Sequence, residues 1–150
     1  VDVQEQQVGL VLELVRGRTL LSFMRSGIQD GPCERLLLPE PTARYRVSLD
    51  VCRAFVYLHS RQPPIVHGDL KSENIVIEGD AEHAHAKLLD FGLARVLSHG
   101  AQSQGGTLRW MAPEVFRSST AELKCSADIF SLGMLLHFVT TGMHARSGMS

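Results

Sequence analysis

His67-Gly68-Asp69-Leu70-Lys71-Ser72-Glu73-Asn74 is followed, sixteen residues after Asn74, by Asp90-Phe91-Gly92. Asp69, Asn74 and Asp90 place two carboxylates and an amide in these two segments, the hard oxygen donors that Mg²⁺ prefers. Leu70 lies between polar residues, so its side chain is expected to point the other way and pin the loop to a core. Gly92 is expected to let the chain turn sharply after Asp90, with Phe91 packed beneath.

Outward from this stretch, the pattern alternates between short apolar runs and helical faces. Pro63-Pro64 closes a helical region, and Ile65-Val66 opens the loop that carries Asp69. Ile75-Val76-Ile77 and Ala86-Lys87-Leu88-Leu89 flank Gly79-Asp80-Ala81-Glu82 and read as a hairpin with an enlarged tip. From Pro41 to about Arg61, Val47, Val51, Phe55 and Leu58 recur at helical spacing while Arg44, Asp50 and Arg53 fall elsewhere, which predicts an amphipathic helix. Thr19 reads as the N-cap of a short helix with Leu20, Phe23 and Met24 on its apolar face. Val8 to Val15 reads as a strand broken by Arg16-Gly17-Arg18. Ser26 to Glu40 and Ser98 to Gly106 have loop composition, the second that of a mobile surface loop. Asp128 to Thr141 is apolar nearly all round, which predicts a helix buried on all sides, with Gly142 as its C-cap.

The 150 residues suffice for one domain with a core, and 44% apolar and 21% charged residues are ordinary for a globular protein. Fifteen Lys plus Arg against sixteen Asp plus Glu leave a net charge of −1, which gives no reason to expect nucleic acid or an anionic membrane as partner. The apolar runs are too short for a transmembrane helix, and the first seven residues lack a signal-peptide pattern. Cys33, Cys52 and Cys125 are odd in number and far apart; reduced thiols in the cytoplasm, or the nucleus, are expected. Cys52 reads as a small buried hydrophobe. His83 and His85 read as a solvated turn rather than metal ligands, and Arg16 and Arg18 as an exposed loop.

Gly106-Thr107-Leu108-Arg109-Trp110-Met111-Ala112-Pro113-Glu114 and Asp128-Ile129-Phe130-Ser131-Leu132-Gly133 complete the set. With the two opening motifs, in this order and at these spacings, the chain resembles the catalytic core of a eukaryotic-type protein kinase. The Arg109–Glu114 stretch is similar to the tyrosine-kinase-like group. The resemblance implies an α+β, protein-kinase-like fold in truncated form: a mainly helical C-lobe, a small β-hairpin and the hinge strand. Residues 1–15 would be the last N-lobe strand and hinge, and 16–150 an incomplete C-lobe.

The resemblance also implies roles. Asp69 would orient the substrate hydroxyl or accept its proton, and Lys71 would meet the γ-phosphate. Asn74 and Asp90 would hold Mg²⁺. Backbone groups of Glu13 and Val15 would hydrogen-bond the adenine of ATP, behind Leu12 as gatekeeper, with Leu20 and Val76 beneath the ring. Thr107 would contact Asp69 and Lys71 from the substrate loop. Lys71 and Thr107 favour a protein substrate phosphorylated on Ser or Thr.

Gly68 departs from the family, which has Arg there to pair with an activation-loop phosphate. Phosphorylation of Ser98 or Ser103 is therefore not expected to be needed for ordering that segment; the rival reading of Gly68 is a degenerate, weakly active kinase. The Gly-rich loop, the strand Lys and its helical Glu partner would precede Val8 and are absent. The sequence has no initiator Met and ends soon after the buried helix, so the N-lobe and the C-terminal helices, including an Arg partner for Glu114, are expected to lie outside it. A fragment that binds ATP poorly is expected. The rival readings are a pseudokinase-like interaction module, against which Asp69, Lys71, Asn74 and Asp90 all argue, and a non-functional truncated product.

Overall fold

The computed structural model describes residues 11–26, 38–80, 82–97, 107–117 and 123–145. In chain order these form β1 (Arg18–Thr19), α1 (Leu20–Arg25), α2 (Pro41–His59), β2 (Ile65–Val66), a 3₁₀ turn (Ser72–Asn74), β3 (Ile75–Glu78), β4 (His85–Leu88), β5 (Arg95–Val96), α3 (Pro113–Arg117) and α4 (Cys125–Thr141).

The long helix forms as its periodicity predicts. Pro41 opens α2 at a position where a missing N–H costs nothing, and Ala43, Val47, Val51, Phe55 and Leu58 are buried on one face. Thr19 caps α1, its hydroxyl accepting the Ser22 N–H at 3.2 Å, and Leu20, Phe23 and Met24 are buried. The hairpin pairs β3 with β4 antiparallel, with Ile75 opposite Leu88 and Glu78 opposite His85. β1 adds to its other edge, placing Thr19 opposite Val76. Gly17 permits that approach, since a Cβ there would meet the Ile77 carbonyl oxygen at 2.3 Å. β2 and β5 form a separate two-stranded sheet. Asp50 on α2 accepts the Ala86 N–H at 3.1 Å and so ties helix to hairpin.

The main core gathers α1, α2, β3 and α4 around Phe23, Phe55, Leu70, Ile75 and Leu135. A second, smaller cluster joins Val66, Ala112, Val115, Leu123 and Ala127. Cys52 is half-buried against the main core, and Cys52 and Cys125 are free thiols. None of the described helices is long and apolar enough to cross a membrane. Cys33 and most of the two loops read at 26–40 and 98–106, with Ser98 and Ser103, lie outside the described residues.

Two expectations are corrected. Residues 11–15 do not form the expected strand, and 8–10 lie outside the described residues. A strand draws its stability from ladder partners, and no described strand forms a ladder with this run; Val11 is 97% exposed and Leu14 76%. The last helix is not buried on all sides. Ser126, Ile129, Gly133, His137 and Thr140 form an exposed stripe, with Ile129 half in solvent, while Leu132, Leu135, Phe138 and Val139 face the core. Gly142 ends α4 in the left-handed conformation as expected, its N–H donating to the Phe138 carbonyl at 2.8 Å.

Arg44 fastens the two long helices. Its guanidinium donates to the Val139 and Thr140 carbonyls at 3.2 and 2.8 Å, supplying donors and positive charge at the C-terminus of α4. Arg44→Ala should lower stability by about 2 kcal/mol in urea unfolding; a loss indistinguishable from zero would show that solvent serves those carbonyls equally well.

Candidate active site

Asp128, at the start of α4, has only 1% of its surface exposed. Its Oδ2 accepts the His67 N–H at 2.9 Å and its Oδ1 the Gly68 N–H at 2.9 Å. His59, at the end of α2, reaches Oδ2 with Nε2 at 2.8 Å; a carboxylate only accepts, so this nitrogen carries the proton. Two consecutive amides can converge on one carboxylate because Gly68 adopts φ +79°. A side chain at that position would be strained, and its Cβ would meet the Leu93 carbonyl at 3.1 Å. The Arg that the family places here would have to take this conformation.

His67 is fully buried and links the two motifs. Its Nδ1 accepts the Asp69 N–H at 3.3 Å, which leaves Nε2 to donate to the Leu89 carbonyl at 3.1 Å, directly before Asp90. The ring lies edge-on to Phe91 at 5.1 Å. Leu70 is fully buried and anchors the loop as expected. The Leu89 N–H donates to the Asn74 carbonyl at 2.8 Å, so the hairpin register brings Asn74 and Asp90 to the same end of the sheet.

Asp69, Lys71 and Thr107 form one connected group. Lys71 Nζ lies 2.6 Å from Asp69 Oδ2 and donates to the Thr107 hydroxyl at 3.1 Å. The Thr107 amide and hydroxyl both donate to Asp69 Oδ1 at 2.9 Å. Burial alone would push the Asp69 carboxyl up, but the Lys71 hydrogen bond, the two from Thr107 and the Lys71 charge outweigh it and hold it below the usual carboxylate range. Such a group is a good hydrogen-bond acceptor and a weak base.

Asn74 donates through Nδ2 to the Asp69 carbonyl at 2.9 Å, which orients Oδ1 as its donor atom for a cation. Asp90 is exposed, and its Oδ1 accepts the Gly92 N–H at 3.1 Å. One amide oxygen and one carboxylate are too few for an all-protein cage, and no group of three His, Cys, Asp or Glu among the described residues could hold an ion. The donor set fits Mg²⁺, which keeps waters and takes substrate phosphates beside one or two protein oxygens.

Three expectations about this region change. The sharp turn belongs to Asp90, at φ +59°, rather than to Gly92; a short polar side chain tolerates this conformation, and the Gly92 amide satisfies it locally. Phe91 is 48% exposed, covered by His67 on one side only. Leu20 has no exposed surface: it is enclosed in the main core and supports β3 from behind, whereas Val76 is half-buried.

Glu13 and Arg16 are held from the hairpin. The exposed Glu13 carboxylate pairs with Lys87, which also lies 3.1 Å from Glu78 Oε2. Glu78 Oε1 accepts the Arg16 N–H at 3.1 Å. Val15 is half-buried. His83 lies in the tip and turns back on Asp80, whereas His85, expected in the turn, belongs to β4 and lies 3.5 Å from Asp50; both are exposed. Glu114 is exposed, with no ion pair among the described residues.

A sequence model described as the protein kinase domain matches residues 2–148. The chain belongs to the protein kinase family. It is 34% identical to the serine/threonine-protein kinase CTR1 of Arabidopsis thaliana over 142 residues, 92% of this chain and 16% of that protein. It is 43% identical to the probable serine/threonine-protein kinase WNK6 of Oryza sativa subsp. japonica, over 93% of this chain and 29% of the relative. A third relative, the serine/threonine-protein kinase TNNI3K of Mus musculus, is 34% identical over 91% of this chain and 15% of its own length. The chain therefore spans less than a third of the length of these relatives.

The roles of His59 and Asp128 were absent from the sequence reading, although a signal existed. Asp128 is the only charged residue in the apolar stretch 128–141, and a carboxylate buried in such a helix must have donors. Asp128→Asn keeps the shape but turns an amide group toward a backbone donor. It should cost about 3 kcal/mol of stability in chemical denaturation, and a cost below that of an ordinary surface substitution would show that the loop is held elsewhere.

Proposed function

We propose that this chain is the lower half of the active site of a Ser/Thr protein kinase that transfers the γ-phosphoryl group of ATP to a protein hydroxyl. The observation that carries the proposal is the Asp69–Lys71–Thr107 group beside Asn74 and Asp90. Phosphoryl transfer needs positioning and charge stabilisation more than covalent help. Asp69 holds and orients the attacking hydroxyl by accepting its hydrogen bond, in keeping with a carboxyl held below its usual range. Lys71 meets the γ-phosphate and offsets the charge there. Asn74 and Asp90 would hold Mg²⁺, whose charge would offset that of the phosphates when it is bound. Lys71 and Thr107 favour Ser and Thr over Tyr as acceptors, in line with the printed names of the relatives.

In this reading residues 1–15 are the last N-lobe strand and hinge, and 16–150 belong to the C-lobe. Adenine hydrogen-bonds to the backbone at Glu13 and Val15 and rests on Val76, which Leu20 supports from beneath. Lys87 and Glu78 steady the hinge from the hairpin. The protein works in the cytoplasm or nucleus, where reduced Cys52 and Cys125 fit.

The test is transfer to Ser-, Thr- and Tyr-containing peptides by the protein that carries these residues. Asp69→Asn should lower turnover by roughly 10²–10⁴-fold and leave nucleotide affinity unchanged; retained turnover would contradict the assignment. The pH profile follows from the same carboxylate. Because its folded pKa is depressed, Asp69 stays ionised as pH falls through the ordinary carboxylate range, near about 4. The stability it contributes is present above its unfolded pKa and is lost only as pH falls through the lower folded value. An acid limb of kcat/KM set by Asp69 should therefore lie below about pH 4, and an Asp69-dependent limb above that range would contradict the geometry.

A further inference from the structure

Gly142 ends α4 at φ +73° and turns the chain back along the helix. His144 is thereby laid flat on Phe138, six residues earlier, with ring centroids 4.6 Å apart and 8° between the planes. Its ring also meets Trp110 at 5.3 Å and 81°, and Trp110 meets Phe138 at 6.2 Å and 89°. Stacked and edge-to-face rings at these distances attract one another beyond the area they bury. Trp110 and Phe138 are buried, and the half-buried His144 closes the cluster on its solvent side.

Trp110 links this cluster to the site. Its N–H donates to the Thr107 carbonyl at 2.9 Å, and its carbonyl accepts the Ser131 hydroxyl at 2.7 Å. The turn 107–110 therefore rests on α4 at two points, Ser131 and the ring cluster, with Thr107 at its far end. Three elements bring charge toward the His144 ring: Arg109 from this turn, Glu73 from the 3₁₀ turn and Arg25 from the end of α1. His137 of α4 lies with Nδ1 3.1 Å from the Met143 carbonyl, and Arg44 of α2 is taken up by the Val139 and Thr140 carbonyls. Burial, Arg109 and Arg25 hold the His144 pKa below the ordinary His value against the pull of Glu73. The stacked ring is neutral at neutral pH.

We propose that His144 is a positioning residue for phosphoryl transfer: as a neutral ring it holds Trp110 and the turn that carries Thr107, and on gaining a proton it lets that turn go. This rests on the kinase reading above. An imidazolium has two N–H donors to satisfy, and it finds water for them by leaving the rings. Two guanidiniums push it the same way. Because the folded pKa lies below the unfolded one, the stability the stack contributes is fully present above about pH 6.5. It is lost as pH falls through the lower folded value.

The experiment follows Trp110 emission from about pH 8 to pH 5 in the protein that carries this chain, without nucleotide. Trp110 is the single Trp of the sequence, and subtracting a Trp110→Phe baseline isolates its signal. Phosphorylation of a Ser/Thr peptide is assayed over the same range. His144→Phe keeps a stacked ring but cannot take up a proton. The expected result is one step in emission with its midpoint below about 6.5, absent in His144→Phe. Turnover should fall several-fold at the same midpoint, and His144→Phe should remove that loss without moving the limb set by Asp69. A midpoint at or above the ordinary His value, as attraction of a cation to the ring faces alone would give, would overturn the inference. So would a step that persists in His144→Phe, which would assign it to another group such as His137. An acid loss of turnover unchanged in His144→Phe would overturn the positioning role and leave the kinase reading standing. Absence of turnover at every pH would remove the kinase reading, and this inference with it.

Discussion

Asp128 is a carboxylate taken almost wholly out of water, and the loop that carries Asp69 hangs from it. Burying a charge is costly unless donors surround it. Here the His67 and Gly68 amides and the His59 ring supply them, each at 2.8 or 2.9 Å. These donors come from the end of α2 and from the loop, while Asp128 belongs to α4. One buried group therefore fixes the loop against both long helices. The left-handed Gly68 is part of the same device, because consecutive amides aimed at one carboxylate need that backbone. An Arg there would carry roughly 1–2 kcal/mol of strain, so losing the Arg's phosphate contact and gaining an unstrained loop are two sides of one residue choice.

From this anchor the rest of the site follows by short hydrogen-bonded steps. His67 passes the constraint to Leu89, and Leu89 to Asn74. Asn74 in turn braces the Asp69 carbonyl, while Lys71 and Thr107 saturate its carboxylate. Polar networks of this kind are stiff when every member is satisfied, and no buried side-chain polar atom among the described residues lacks a partner. The stiffness suits the positioning that the proposed phosphoryl transfer would ask of these residues.

Much of this was legible in the sequence because local patterns carried it. The spacing of Val47, Val51, Phe55 and Leu58 gave the buried face of α2, Thr19 and Gly142 marked helix ends, and the two apolar runs around residues 79–82 gave the hairpin. The grouping of Asp69, Lys71 and Thr107 was implied by the family resemblance. What was not legible depended on partners distant in the chain. The run 11–15 has strand composition, yet no described strand lies beside it. Leu20 and Phe91 each had the expected character, but their exposure is set by neighbours such as Ile75 and His67. The turn at Asp90 was credited to the adjacent glycine because propensity favours glycine, whereas an Asx hydrogen bond decided it.

The central claim is that buried Asp128 holds the loop on which Asp69 is carried. Native-state hydrogen exchange at the His67 and Gly68 amides tests it most directly, because both donate to that carboxylate. The account predicts that the two amides exchange only through the opening that also releases the core residues of α4, with matching free energies and matching denaturant dependence. Rapid exchange of either amide while α4 remains protected would contradict it.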